Sequence, residues 1–331
     1  MILSSPTRTT AATVAPWVAV AAVVVLAALS LAVGVADVSL AQLFTDPDGQ
    51  TLLLLSRWPR TAALVLAGAA LAISGLIMQQ LTRNRFVAPS TAGTVDAATL
   101  GVLVSLILFA SAPVMGKVLI STAFALAGTA VFVILIQRVQ FKDVVFVPLM
   151  GLLLGGVYRA IAEFFAYREN LTQSLGTWMN GDFSGVIQGR YETLWLAGAA
   201  AVVAYAFAHQ FAAAGMGRDF ATGIGVNVRR VTAIGLSIAS FTTAVVVVTV
   251  GAIPFLGLIV PNLVTMAIGD NLRRALPVTA LAGAALTLGC DTLARVLILP
   301  YEIPVGSIVG VLGAVVFAAL VLRKGNRYVT A

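Results

Sequence analysis

Long apolar runs recur along this chain, broken about every twenty residues by short clusters of charged and turn-forming residues. The runs cover residues 14–35, 61–82, 90–110, 114–137, 144–167, 193–211, 231–250, 253–268, 277–296 and 304–322. At 1.5 Å rise per residue, about 20 helical residues cover about 30 Å, the thickness of a bilayer's hydrocarbon core. The pattern predicts an all-α integral membrane protein of about ten transmembrane helices in one bundle. Residues 1–13, with Arg8 as their charge, read as a short N-terminal tail. A signal peptide is the rival reading of the first run, but that run is longer than the usual apolar region of about 7–15 residues. Pro59 suits a helix start, where its missing N–H costs nothing, and the second helix is expected to begin at Arg57 after an acidic, turn-rich loop holding Asp37, Asp46, Pro47, Asp48 and Gly49.

Composition agrees with the pattern. Of 331 residues 60% are hydrophobic and only 10% charged, with a mean hydropathy of +1.02, against about 25% charged in an average soluble domain. Helices in such a chain pack into one bundle, so residues 1–331 are expected to form a single transmembrane domain. The net charge of +7 would suggest nucleic acid in a soluble protein; here the basic residues fall in short loops, where a cytoplasmic excess is the rule. With the N-terminus inside, the inner segments hold Arg8, Arg83, Arg85, Arg138, Lys142, Arg218, Arg229, Arg230, Arg273, Arg274, Arg323, Lys324 and Arg327, which is 13 of the 20 basic residues. Both termini are therefore expected in the cytoplasm, and no nucleic-acid partner is expected. Single residues Cys290 and His209 exclude an internal disulfide, a CxxC metal site and a histidine cluster.

Candidate chemistry is sparse. The chain has no phosphate-binding loop, no G-x-G-x-x-G, no H-E-x-x-H and no G-x-S-x-G, so it carries no ATPase or hydrolase signature of its own. Four ionisable residues fall within predicted spans: Asp96, Arg159, Glu163 and Asp291. A charge at mid-membrane costs about 2.5–3.5 kcal/mol on insertion scales. Arg159 and Glu163, four apart on one helix face, are placed to neutralise each other; the pair is either a self-compensated patch or part of a polar path. Asp291, four residues before Arg295, reads as an ion pair or a helix–helix hydrogen bond. Asp96, near Thr91, Thr94 and Thr99, is open between a packing role and a pore wall. The loop at 212–230 is Gly-rich and basic, with the composition of a short helix between two glycine breaks, a shape suited to insertion in a partner's groove. LAGAAL occurs at 66–71 and again at 281–286, marking close helix packing by small residues and leaving open an inverted internal repeat.

Several segments, in order, resemble one family. They are RWPR and LAGAALAISGLIMQ (57–79), RNRFVAP (83–89), WMNGDFSG (178–185), GAIPFLGLIVPN (251–262), and DTLAR with LPYEIPVG (291–306). Together they resemble the FecCD-type permeases of binding-protein-dependent ABC importers, which carry iron-siderophores, haem or cobalamin, and the likeness runs from about residue 40 to 324. The resemblance implies ten helices per subunit and a pairing with a second permease, either an identical copy or a similar one. It further implies two cytoplasmic ATPase subunits using ATP and magnesium, an extracytoplasmic siderophore-binding protein, a bacterial cytoplasmic membrane, and no cofactor on this chain. It has Arg57, Arg60 and Arg295 face outward to dock the binding protein, and Asn84 and Phe86 narrow the inner exit. It places Gly217, Ala221, Gly223, Ile224 and Gly225 in a loop that couples to the ATPase. Arg85 stands where the family has proline, and Asn262 where it has histidine. STAGTVDAATLG in the third helix is similar to the branch that handles catecholate or mixed siderophores. Two other classes compete: an ion-coupled secondary transporter, which needs Asp96, Glu163 or Asp291 as coupling site, and a membrane-embedded enzyme, for which no catalytic cluster assembles.

Overall fold

The computed structural model describes residues 6–34, 45–138, 146–298 and 300–329, and every regular element among them is helical. The helices are α1 (Pro6–Ala32), α2 (Pro47–Leu52), α3 (Trp58–Thr82), α4 (Thr94–Leu108), α5 (Val114–Arg138), α6 (Phe146–Arg168), α7 (Thr172–Met179), α8 (Leu194–Ala206), α9 (Ala208–Gly215), α10 (Arg218–Gly223), α11 (Val228–Val250), α12 (Leu256–Ile268), α13 (Leu272–Leu297) and α14 (Val305–Val329). Among the described residues six helices are long and apolar enough to cross a membrane: α1, α2 with α3, α5, α6, α11 and α13. A seventh forms if α8 and α9, bent by 63° at Phe207, count as one span; α4, α12 and the 305–320 part of α14 are shorter apolar helices.

Two boundaries differ from the pattern. The first helix already runs from the first described residue, Pro6, through residue 13, because the Thr and Ala residues there tolerate a helix without being apolar enough to lengthen the hydrophobic run. The second starts at Pro47, ten residues before Arg57. Asp46 stands at its N-cap position, Pro47 in its first turn and Asp48 beside the positive end of the helix dipole. A π turn at Leu53–Arg57 then absorbs one extra residue before α3. Asp37, Lys142 and Asp143 lie outside the described residues.

Helix α3 is the centre of the bundle, with sixteen of its residues buried. Small residues let its neighbours come close. At Gly68 a side chain would meet the Gly283 carbonyl and the Thr287 hydroxyl of α13, and at Gly283 one would meet the Gly68 carbonyl. The two LAGAAL segments therefore pack glycine against glycine, and Thr287 Oγ1 donates to the Leu64 carbonyl across the same contact at 2.9 Å. Farther along, Gly75 lies against the Gly257 backbone of α12. Lipid tails are as apolar as leucine, so such close van der Waals contact, rather than water exclusion, holds the helices together. Buried hydroxyls add to it: Thr94 and Thr129 are 2.7 Å apart, and Thr129 and Ser240 3.2 Å, a chain linking α4, α5 and α11.

Three of the distinctive motifs meet at one backbone knot. Asp182 N–H donates to the Val250 carbonyl (2.8 Å), Ala252 N–H to Trp178 (2.8 Å) and Gly306 N–H to Gly181 (3.0 Å). Gly181 and Gly251 take positive φ there, at 56° and 87°, which only glycine adopts at no steric cost. The WMNGDFSG, GAIPFLG and LPYEIPVG signatures thus tie α7, α11 and α14 together.

Candidate functional site

The three arginines expected to face outward turn into the chain. Arg60 donates from Nη2 (2.7 Å) and Nε (3.1 Å) to Asp291 Oδ1, and pairs with Glu302 Oε2 at 2.8 Å. Arg295 holds the other oxygen of the same carboxylate at 2.7 Å. Asp291, 0% exposed, therefore sits between two guanidiniums. The reason for this geometry lies at the end of α1. A helix leaves its last four carbonyls without partners, and here Arg57 donates to Leu31 (2.6 Å) and Ala32 (3.1 Å) while Arg295 donates to Ser30 (3.0 Å) and Val33. Cations at that negative end are also favoured by the dipole. The ion pair or interhelical bond expected of Asp291 is both at once: it pairs along α13 with Arg295 and across to α3 with Arg60. Glu302 is the member of this cluster that sequence reasoning misses, although it lies inside the LPYEIPVG motif.

At the other end of α3, Arg83 takes a left-handed conformation (φ 52°) and ends the helix. Asn84 Oδ1 accepts the Phe86 N–H at 2.9 Å, an Asx turn that reverses the chain. Both residues are buried. The Phe86 ring meets Phe317 edge to face (centroids 5.6 Å), and Phe317 stacks on Phe255 at 6.3 Å. Two side chains brace this turn: Arg85 reaches Asp270 at 2.8 Å, and Asn262 donates to the Arg85 carbonyl at 2.7 Å.

The loop between α9 and α11 does contain a short helix between glycine breaks. Helix α10 is flanked by Gly217 (φ 121°) and Gly225 (φ 79°). Ala221 alone of its middle residues is buried, while Met216, Phe220 and Ile224 expose large apolar side chains. Nothing lies within 4 Å of where side chains at Gly223 and Gly225 would sit.

The mid-span charges pair differently from expectation. Arg159 does not pair with Glu163; its Nη2 reaches Asp96 Oδ1 of α4 at 2.8 Å and its Nε the same oxygen at 3.2 Å. Helical side chains lean toward the N-terminus of their helix, which carries Arg159 toward Gly155 and away from Glu163. Asp96, only 13% exposed, has the greater need of a counter-charge. Among the described residues no three His, Cys, Asp or Glu side chains group to hold a metal ion. Cys290 is buried and His209 exposed and alone. No arrangement of nucleophile, base and orienting acid is present among the described residues. Asp96 and Asp291 both have arginine partners, an arrangement that makes a poor proton or sodium carrier.

Long apolar helices beside broken and shortened ones, with buried and nearly buried carboxylates held by arginines, make this a multi-span helical membrane bundle. Residues 22–323 match the FecCD transport family, and the chain belongs to it. It is 46% identical over 302 residues to the petrobactin import system permease protein YclN of Bacillus subtilis, covering 91% of this chain and 96% of that one. It is 43% identical over 271 residues to the ferric-anguibactin transport system permease protein FatD of Vibrio anguillarum, covering 82% and 86%. A solved structure of an inward-facing ABC transporter of the metal-chelate type shares the fold, with a TM-score of 0.79 at 24% identity over 93% of this chain and 98% of that one.

Proposed function

We propose that this chain is a permease subunit of a binding-protein-dependent ABC importer that takes up a ferric siderophore of the petrobactin or anguibactin kind. The observation that carries the reading is the high identity to two siderophore permeases across most of their length and of this one. In this reading the chain is one permease domain of ten spans with both termini in the cytoplasm, lying in the inner membrane of a bacterium and paired with an identical or similar permease. It binds no cofactor itself. Two separate ATPase subunits use ATP and magnesium and move the pathway between outward and inward exposure as packed elements switch between discrete arrangements. The permease changes no covalent bond of its cargo.

Each end has a role in that cycle. The face bearing Arg57, Arg60 and Arg295 receives the binding protein. Glu302 is the most exposed member of the ion-paired cluster there, so an incoming carboxylate reaches Arg60 by exchange with Glu302. Such exchange sets register and encounter rate more than affinity. The turn holding Asn84 and Phe86 narrows the exit, with the Phe86 ring held by Phe317 in its own subunit. Helix α10 docks on the ATPase through Phe220 and Ile224, and Gly217, Ala221, Gly223 and Gly225 set its pose.

The test is uptake of radioiron-labelled ferric petrobactin into proteoliposomes containing the permease pair, its ATPase and its binding protein. Uptake is expected to require ATP hydrolysis and the binding protein. Uptake driven by a proton or sodium gradient without ATP would replace the reading with a secondary transporter. The coupling role has its own test. Gly223→Leu meets no atom of its own chain at the first side-chain carbon, so folding and melting temperature are expected to stay as in the wild type while ATP-coupled uptake falls about tenfold, the effect of about 1.4 kcal/mol. Unchanged uptake in that variant would remove the coupling role.

A further inference from the structure

Arg159 lies near the middle of α6, a helix apolar enough to cross a membrane, and yet its side chain is 52% exposed. A guanidinium at that depth does not face lipid without a cost of several kcal/mol, so its open side meets water or a polar surface. The rest of the helix shows where. At 3.6 residues per turn, Leu152, Gly156, Arg159 and Glu163 fall on one strip, and all four are exposed. The adjoining exposed face is apolar throughout, with Leu149, Leu153, Val157 and Phe164. The remaining face, with Gly151, Gly155, Ala162 and Ala166, is buried in the bundle. One helix thus has a core face, a face suited to lipid, and a narrow strip that Arg159 and Glu163 make polar in its second half.

The guanidinium on that strip is also aimed. Two of its nitrogens are spent on a single oxygen of Asp96. A side chain at Gly155 would stand 2.5 Å from the other oxygen, so the bare glycine is what lets the carboxylate come this close. Arg159 Nη1 has no hydrogen-bond partner among the described residues, and its N–H groups remain available to the strip. We infer that this strip lines the route of the cargo, and that Arg159, held by the positioning residue Asp96, donates hydrogen bonds to oxygen atoms on the surface of an oxygen-rich iron chelate.

The inference rests on the importer reading above. Because Asp96 balances the charge, recognition works through directional N–H donors, which suit carboxylate and phenolate oxygens. Glu163, one turn along the strip and without an ion pair among the described residues, repels the same oxygens. The contact is therefore transient, as passage requires: strong enough to enter and weak enough to leave.

The test uses the complete complex in proteoliposomes with Cys290→Ala as background, so that Arg159→Cys carries the one thiol of this chain. Arg159→Cys and Arg159→Met, which both lack N–H donors, are expected to lower ferric petrobactin uptake at least tenfold while binding-protein docking and resting ATPase activity stay unchanged, and Asp96→Asn to lower it less. Reaction of the Arg159→Cys complex with aminoethyl methanethiosulfonate, which restores N–H donors, is expected to recover uptake. Sulfonatoethyl methanethiosulfonate, which brings only acceptors, should react and recover nothing. A thiol at position 159 that neither reagent reaches, an Arg159→Met complex within twofold of wild type, or equal recovery by both reagents would each overturn the inference. If the wild-type complex takes up no ferric petrobactin, the cargo reading fails instead, and the reactivity of the thiol in Arg159→Cys still decides whether the strip is wet.

Discussion

Asp291→Ala is expected to leave no folded permease that survives purification in detergent. The carboxylate is fully buried and binds two arginines, one from α3 and one from its own helix. Removing it leaves Arg60 and Arg295 facing each other with only Glu302 as counter-charge among the described residues. Removing one partner of a buried ion pair costs about 3–5 kcal/mol, comparable to the whole stability of a marginal domain. The damage does not stop there, because Arg295 also holds the carbonyls of Ser30 and Val33; once displaced, it releases the end of α1. Asp291→Ala with Arg295→Met, which removes a buried charge of each sign, should recover part of the loss. The yield of monodisperse protein after detergent purification, compared with the wild type, checks both, and an Asp291→Ala protein recovered in wild-type yield and melting with the wild type would show that the cluster is not what secures this end of the bundle.

Gly75→Val is the second severe change. The first carbon of any side chain at that position falls onto the carbonyl and Cα of Gly257. Backbone does not swing aside as a side-chain tip does, so α3 and α12 must separate. Overpacking costs about 1–3 kcal/mol where side chains can adjust, and more where they cannot; here the loss is expected at the upper end or beyond, seen as aggregation on size-exclusion chromatography. Gly176→Ala is the contrast. That helical glycine has nothing within 4 Å of the added carbon, and alanine gains up to about 1 kcal/mol of helix propensity over glycine, so its melting temperature should hold or rise. Equal behaviour of the two variants would contradict the packing argument.

These two sites also divide what was legible from what was not. The LAGAAL segments marked themselves as packing surfaces by their small residues, and the structure sets Gly68 against Gly283. The glycine breaks around α10 were equally readable, since Gly217 and Gly225 take backbone angles that other residues avoid. Arg159 shows the opposite case. Spacing favoured Glu163 as its partner, while the structure chose Asp96, sixty-three positions away, because a nearly buried carboxylate needs a counter-charge more than an exposed one does. Likewise nothing in the spacing of Arg57 and Arg60 shows that α1 ends beside them with its carbonyls in need of donors.

Hydrophobic length and charge distribution, which are properties of the chain alone, determined that this is a helical membrane protein. The order of its motifs determined the family. Helix ends were readable only in part: both of the first two helices extend beyond their apolar runs, the second from Asp46, Pro47 and Asp48, because helix formation needs no hydrophobicity. Which charge meets which was decided by tertiary structure, since a buried ion pair depends on burial and on distance through space, and neither is written in residue spacing. The arginines at one end of α3 thus close a helix end and cage Asp291, and the arginine on α6 is turned by Asp96 toward an open strip.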